Sequence, residues 1–223
     1  MRSLLLLVLL GTGCAARTPI PGPLRQLGRT SAPPAPEAVR EQGSERAPPD
    51  RGGERERDEA GRAIARAARH YLNHSLEGFR DDCSGFVCAA TSRAGRPVSG
   101  NTLSIWADLQ DIGATHHRKV PRVGDLAFFD NTYDRNGDGR LNDELTHVGI
   151  VIQVLEDRTV VLAHGGTSQG RSELRLNLQH PDDHLSPGGE VRNDYLRRRR
   201  DSDPAGTPHL AGQMWRGFAT LPD

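Results

Sequence analysis

Aromatic residues make up only 4% of the 223 residues, and hydrophobic content stops at 35%. Both values are low for a chain that packs along its whole length. Part of the sequence is therefore expected to stay outside any core, and what remains suffices for one ordinary domain. Charge of one sign is also lacking, since 29 basic residues meet 29 acidic ones. That balance provides no global field for nucleic acid or an anionic membrane surface, and nucleic acid is set aside as a partner. Lysine is nearly absent: apart from Lys119 every basic residue is arginine. With 3 cysteines the chain has no disulfide scaffold. Cys83 and Cys88 fall on a segment that reads as helix, at a spacing that points them in different directions, so they cannot easily bridge. The apolar run Leu4 to Leu10 is too short to span a bilayer.

That run does suit the apolar region of an export signal, because Arg2 precedes it and Gly11-Thr12-Gly13 follow. Small residues directly before Cys14 resemble a bacterial lipoprotein signal, in which Cys14 would be lipidated and anchor the protein to a membrane. Gly11 stands where that pattern usually has leucine, and the other reading is an ordinary signal cleaved near Ala15-Ala16. Both send the protein out of the cytoplasm, to the cell envelope or periplasm. Residues 1–16 are thus read as the signal. From Arg17 the sequence turns rich in Pro, Arg, Gly, Ser and Glu with no apolar period, so residues 17–56 are expected to be a disordered tether. The remaining residues, 57–223, are expected to form the domain, most simply as a monomer.

Within that domain Ala60 to Leu72 carries Ile64, Ala67, Ala68 and Tyr71 at helical spacing. A second helix should begin at Asp82-Cys83 and stop near Gly95. Strand patterns follow at Asp125–Phe129, His147–Leu155, Thr159–Ala163 and around Met214–Leu221. Helices first and antiparallel strands afterwards make an α+β domain, with helices packed on one face of a small antiparallel sheet.

A free thiol in an exported protein calls for a chemical reason. Cys83 falls at the start of a helix, where the positive end of the dipole favours a thiolate. The open backbone N–H groups there can also hold an oxyanion. A thiol nucleophile needs a base held by a third group. His147 opens one β-branched strand, and His164 closes another. If these strands form a hairpin in which Leu155 pairs with Arg158, His164 falls opposite Gly149, next to His147 on the same face. Gly149 leaves room for both rings. His147 is then the base and His164 the group that orients it. Against this stands the blander pattern of a buried, inert cysteine and a polar strand end.

Three blocks carry a resemblance. Asp82-Cys83-Ser84-Gly85-Phe86-Val87, then Pro121 to Phe129 with Gly124-Asp125-Leu126, then Thr146-His147-Val148-Gly149-Ile150-Val151, resemble the NlpC/p60-type, papain-like cell-wall cysteine peptidases, to which the CHAP amidases and endopeptidases are related. The resemblance covers roughly Ala60 to His164. It implies hydrolysis of peptidoglycan stem peptides, typically from γ-D-glutamate to a diamino acid, with Cys83, His147 and His164 as the triad and no cofactor. Asp82 and Ser84 would help hold the substrate's free amine, and Tyr71 would stand near the oxyanion site. His74-Ser75 take the place of the family's glycine pair after that tyrosine. A CHAP-type cleavage is the alternative within the same chemistry. A non-catalytic envelope protein of the same fold is the alternative outside it.

One further motif lies before His147. Asp134, Asn136, Asp138, Arg140 (through its carbonyl) and Asn142 have the alternate spacing of a calcium loop, with Gly139 at the turn position. Leu145 stands where a bidentate acid belongs, so Asp143 or Glu144 would have to replace it; a structural calcium would brace the loop. His116-His117 read as surface loop, Arg197 to Arg200 as a solvated run, and Trp106 and Trp215 as core or groove lining.

Overall fold

The computed structural model describes residues 51–201 and 203–222. The signal, Cys14 and most of the expected tether lie outside the described residues. Helix α1 runs Arg51–Tyr71, well ahead of its apolar start at Ala60. The tether reading up to residue 56 is corrected accordingly. Arginine and glutamate are good helix formers and Glu59 pairs with Arg62 and Arg66, so the first turns are helical without any apolar period to reveal them. Helix α2 spans Cys83–Arg93 and α3 Thr102–Asp111. Strands β1 Thr115–His116, β2 Leu126–Phe129, β3 His147–Val154, β4 Val160–Thr167 and β5 Gly170–Leu176 follow, then a short α4 Ala211–Met214 and β6 Trp215–Ala219.

All strand pairs are antiparallel, in the order β1-β6-β2-β3-β4-β5. The fold is α+β, with α1 and α2 on one face of an open six-stranded sheet. Helix α2 is buried over almost its whole length, from Ser84 to Thr91, and so serves as the centre of that layer. Phe86, Val87, Ala89 and Ala90 meet Phe128, Val148, Ile150 and Ala163 there. Helix α1 adds Ile64, Ala65 and Ala68, and its Arg69 Nη2 donates to the Ile152 carbonyl at 2.7 Å. Gly61 meets the Val123-Gly124 backbone so closely that neither glycine has space for a Cβ.

The opposite face is also covered. Phe129, Val151, Leu162, Leu174 and Phe218 form a second apolar layer with Leu178, Leu196 and Ala211 from the β5–β6 connection. Two fully buried asparagines fix that connection: Asn193 Nδ2 donates to the His180 and Asp183 carbonyls, and Asn177 Nδ2 donates to Thr159 Oγ1 at 3.0 Å. Each amide thereby satisfies backbone that would otherwise be orphaned beneath the loop.

Three expectations are revised. Helix α3 had no place in the sequence reading; it starts at a capping box in which Asn101 Oδ1 accepts from the Ser104 amide and Ser104 Oγ accepts from the Asn101 amide. His116 is in β1, where its Nε2 lies 3.2 Å from Oδ2 of buried Asp125. Arg197 is largely enclosed and tied to Asp203 and the Asn131 carbonyl, whereas Arg198, Arg199 and Arg200 are exposed. Trp106 is core, edge-on to Phe128 at 4.9 Å.

Candidate active site

Cys83 is the first residue of α2, and Asp82 caps it in extended backbone, accepting from the Gly85 amide at 2.7 Å. The cap explains why the helix starts here, and it aims the helix's positive end at the cysteine. The sulfur lies between helix and sheet: Thr102 Oγ1 is 3.8 Å from Sγ, and the Val148 and Ser84 amides point at it. Burial pushes the thiol's pKa up; Thr102 and the Val148 amide pull against that, and Asp82 adds to the rise.

Val148 is the residue after His147, so the strand that offers an amide to the sulfur also carries the imidazole. His147 Nε2 and His164 Nδ1 lie 2.8 Å apart with the rings edge-on. His164 Nε2 in turn is 3.2 Å from Ser172 Oγ on β5. Nε2 of His147 is thus engaged, which leaves Nδ1 for other partners, and His147 shares a cleft lining with Cys83. Burial, with His164 adding to it, lowers His147 to about 3, and burial alone lowers His164 to about 4. At neutral pH both rings are therefore uncharged and the thiol is protonated.

The hairpin delivers the histidines by two departures that cancel. Ile150 pairs with Ala163, which sets Gly149 across from His164, but a bulge between Val151 and Gln153 takes up a residue. The turn is correspondingly one residue longer than expected: Leu155 donates to Thr159, not Arg158. A Cβ on Gly149 would sit 3.3 Å from that of His164, tighter than ordinary packing.

Cys83, Asp82, Ser84 and His147 line one cleft of about 540 Å³, together with Arg80, Asn101, Thr102, Tyr133, Arg135, Leu145, Thr167 and Leu196. His164 lies behind His147. Tyr71 is not brought there. It packs at the far end of α2, edge-on to His70 and under the Arg93 guanidinium at 5.9 Å, about 15 Å of helix from Cys83. Its expected place near the oxyanion site is corrected. With His74-Ser75 in place of a glycine pair, the chain after α1 does not fold the tyrosine back over the cleft. Conversely, Thr102, Arg80 and Ser172 went unnoticed in the sequence. Only Thr102 had a local signal, the Asn-x-x-Ser cap that starts its helix.

The Asp134–Asn142 loop is closed by its own amides. Asp134 accepts from Gly137 and Gly139, Asn136 from Asp138, and Asp138 from Arg140. No acid takes the place of Leu145: Asp143 is buried against the Arg135 amide, and Glu144 pairs with Arg216. Among the described residues no three His, Cys, Asp or Glu side chains converge as a metal site.

Residues 74–166 match the CHAP domain. The similarity is confined to that segment. The matched segment runs from the end of α1 through β4 and holds Cys83, His147 and His164 together. It agrees with the resemblance drawn from the three sequence blocks, and it supports a peptidoglycan-hydrolase type of function. No curated protein matches the chain. Among solved structures, an NLP/P60-family protein described as similar to a lipoprotein, from Staphylococcus aureus subsp. aureus Mu50, is similar at 20% identity with a TM-score of 0.38. That likeness covers 74% of this chain and 43% of the other, so the chain spans less than half of its neighbour's length.

Proposed function

We propose that this protein is a cell-envelope cysteine peptidase that hydrolyses an amide bond in peptidoglycan stem peptides. The observation that carries the reading is the placement of a half-buried thiol at a helix N-terminus, against the amide next to an imidazole whose second nitrogen is already held by His164. Cys83 attacks the amide carbonyl. His147, through Nδ1, takes the thiol proton as the C–S bond forms and returns it to the leaving amine. With Nδ1 as the base, Nε2–H donates to His164 Nδ1 and His164 Nε2–H donates to Ser172 Oγ, a hydroxyl able to accept it. Because the resting pair is neutral, proton transfer accompanies attack instead of preceding it. The oxyanion forms at the open end of α2, where the Cys83 amide and the helix dipole lower its energy. Water then releases the acyl-enzyme, with His147 again as base.

The bond from γ-D-glutamate to a diamino acid is the first candidate. The CHAP match favours a second, amidase-type reading in which the bond joining peptide to glycan is cut. Mass spectrometry of digested muropeptides separates them. Free peptides shortened after glutamate support the first; intact stems released from muramic acid support the second. No product from either substrate, under conditions in which the protein is folded, refutes both.

Export, and an anchor at Cys14, complete the proposal. They rest on the sequence, and labelling with palmitate tests the anchor. For the Asp134–Asn142 loop we propose at most weak calcium binding that would brace the turn before β3, since the oxygen spacing is present and the bidentate acid is not.

A further inference from the structure

The charges lining the cleft do not suit a substrate ammonium group. Asp82 is the one carboxylate in the lining, and the protein's own donors already occupy it. Its Oδ1 accepts from Ser84 Oγ at 2.8 Å and from the Gly85 amide at 2.7 Å, and its Oδ2 faces Arg80 Nε at 3.2 Å. Although partial burial opposes the charge, these contacts hold the carboxyl below its usual range. Ser84 is spent in the same way, accepting from Arg80 Nη2 at 2.8 Å while it donates to Asp82. The Gly100 carbonyl, 3.1 Å from Nη2, fixes the guanidinium from the other side. Among the described residues Nη1 has no hydrogen-bond partner, so its two N–H groups remain open at the cleft. Arg135 also lines the cleft; its Nη2 donates to the Glu144 carbonyl and its Nε faces Asp143 Oδ1 at 3.8 Å. The lining thus has two arginines and one aspartate, each already paired within the protein, with His147 uncharged.

We propose that Arg80 sets the specificity of this cleft by closing Asp82 to a substrate ammonium and presenting its own guanidinium to a substrate carboxylate. The inference rests on the stem-peptide reading, and it departs from the free-amine role that the resemblance implied for Asp82 and Ser84. A γ-linked glutamyl residue keeps its α-carboxylate free, close to the carbonyl that Cys83 would attack. That is the group a planar, positioned guanidinium holds best. An ammonium at the same place would have to displace Arg80 from Asp82 and would then lie beside a like charge. The cleft therefore accepts stems whose amino end is capped, as it is when the peptide is still attached to glycan.

The test measures binding to the full chain carrying Cys83→Ala, which separates recognition from turnover. The probe is a stem tripeptide, L-Ala-γ-D-Glu-diamino acid, made with free or acetylated N-terminus and with α-carboxylate or α-amide on the glutamate. Acetylation should change Kd by less than about threefold. Amidation of the carboxylate should weaken binding about tenfold, as one charge-assisted contact predicts. Adding Arg80→Gln should abolish the carboxylate preference and favour the free amine, because Asp82 is released. Arg80→Lys, which retains the charge without the fork, should keep part of the preference and serves as the control for folding. A tenfold preference for the free amine in the Arg80 protein overturns the proposal. So does indifference to amidation, unchanged ratios in Arg80→Gln, or failure of every form to bind. Hydrolysis of the same peptides by the Cys83 protein is scored separately and tests the peptidase reading on its own.

Discussion

Acidification should destabilise this protein through two particular residues. His147 and His164 are buried and hydrogen-bonded to each other, and among the described residues no carboxylate pairs with either. Burial therefore depresses both, to about 3 and about 4, where an unfolded chain would titrate near 6.5. Above 6.5 neither state binds a proton at these sites and the pair has no effect on pH dependence. Below it the unfolded chain takes up two protons that the folded one refuses, so stability falls until pH reaches the folded values. Each pKa unit is worth about 1.4 kcal/mol. By pH 5 each histidine therefore costs about 2 kcal/mol, some 4 kcal/mol together, against a typical stability of about 5–15 kcal/mol. At pH 5 the penalty is set mainly by the unfolded pKa, since both folded values lie below it. The assay is urea unfolding at pH 8 and pH 5 for the starting protein, His147→Gln, His164→Asn and the double substitution. Each single change should remove about 2 kcal/mol of the pH-dependent loss, and the double about 4. Every other titrating group cancels in the comparison. If the loss between pH 8 and pH 5 is the same in the double substitution as in the starting protein, the rings are not held neutral by burial and the argument fails.

Four other outcomes follow from the same geometry. Cys83→Ala should abolish muropeptide cleavage without loss of fold, and residual turnover by that variant would reassign the nucleophile. His147→Ala should cost more activity than His164→Ala, as proton transfer outranks orientation; the reverse order in kcat would contradict the roles given to the two rings. Gly166→Ala should destabilise by more than about 1 kcal/mol, since φ is +72° and the new Cβ would lie 2.5 Å from the Cys83 amide; a thermal melt unchanged from the parent would refute that contact. Calorimetric titration should find calcium affinity no tighter than about 10⁻⁴ M, and a micromolar site would show that another acid supplies the missing ligand.

The elements legible in the sequence were those whose periodicity coincides with burial. Helix α2 begins and ends at its cap and at Gly95, whose φ is +75°. Strands β2, β3 and β4 match largely apolar runs because both faces of this sheet are covered. Strand β5 escaped notice since it is the sheet edge: Gly170 to Glu173 are largely open, with only Leu174 and Leu176 deeply buried. The start of α1 was hidden because charged side chains all round a helix leave no apolar stripe to count. The connection from Asn177 to Leu210 is held by side-chain amides and backbone bonds, neither of which has a period.

The histidine pairing shows how a correct position can be reached from an incomplete turn. Reading Leu155 against Arg158 gives a two-residue turn and sets His164 opposite Gly149. The chain in fact makes a longer turn, and the bulge between Val151 and Gln153 restores the register before the strands reach the histidines. A longer turn without the bulge would have moved His164 by one residue and turned its ring to the other face of the sheet. Sequence reports the alternation of side chains but has no marker for that bulge, because Ile152 suits either face. What selects the observed arrangement is tertiary. Val151 must enter the second apolar layer with Leu162 and Leu174, while Ile150 and Ile152 must meet α1 and α2. The bulge lets both burials hold while keeping His164 within 2.8 Å of His147. Deleting Ile152 should therefore damage the site more than the turn: it removes the bulge and forces the register to shift at one end of the hairpin. Loss of activity together with a fall in melting temperature from the lost burial of Ile152 is the expected result, and full activity in that deletion would show that the histidines are positioned by something other than strand register.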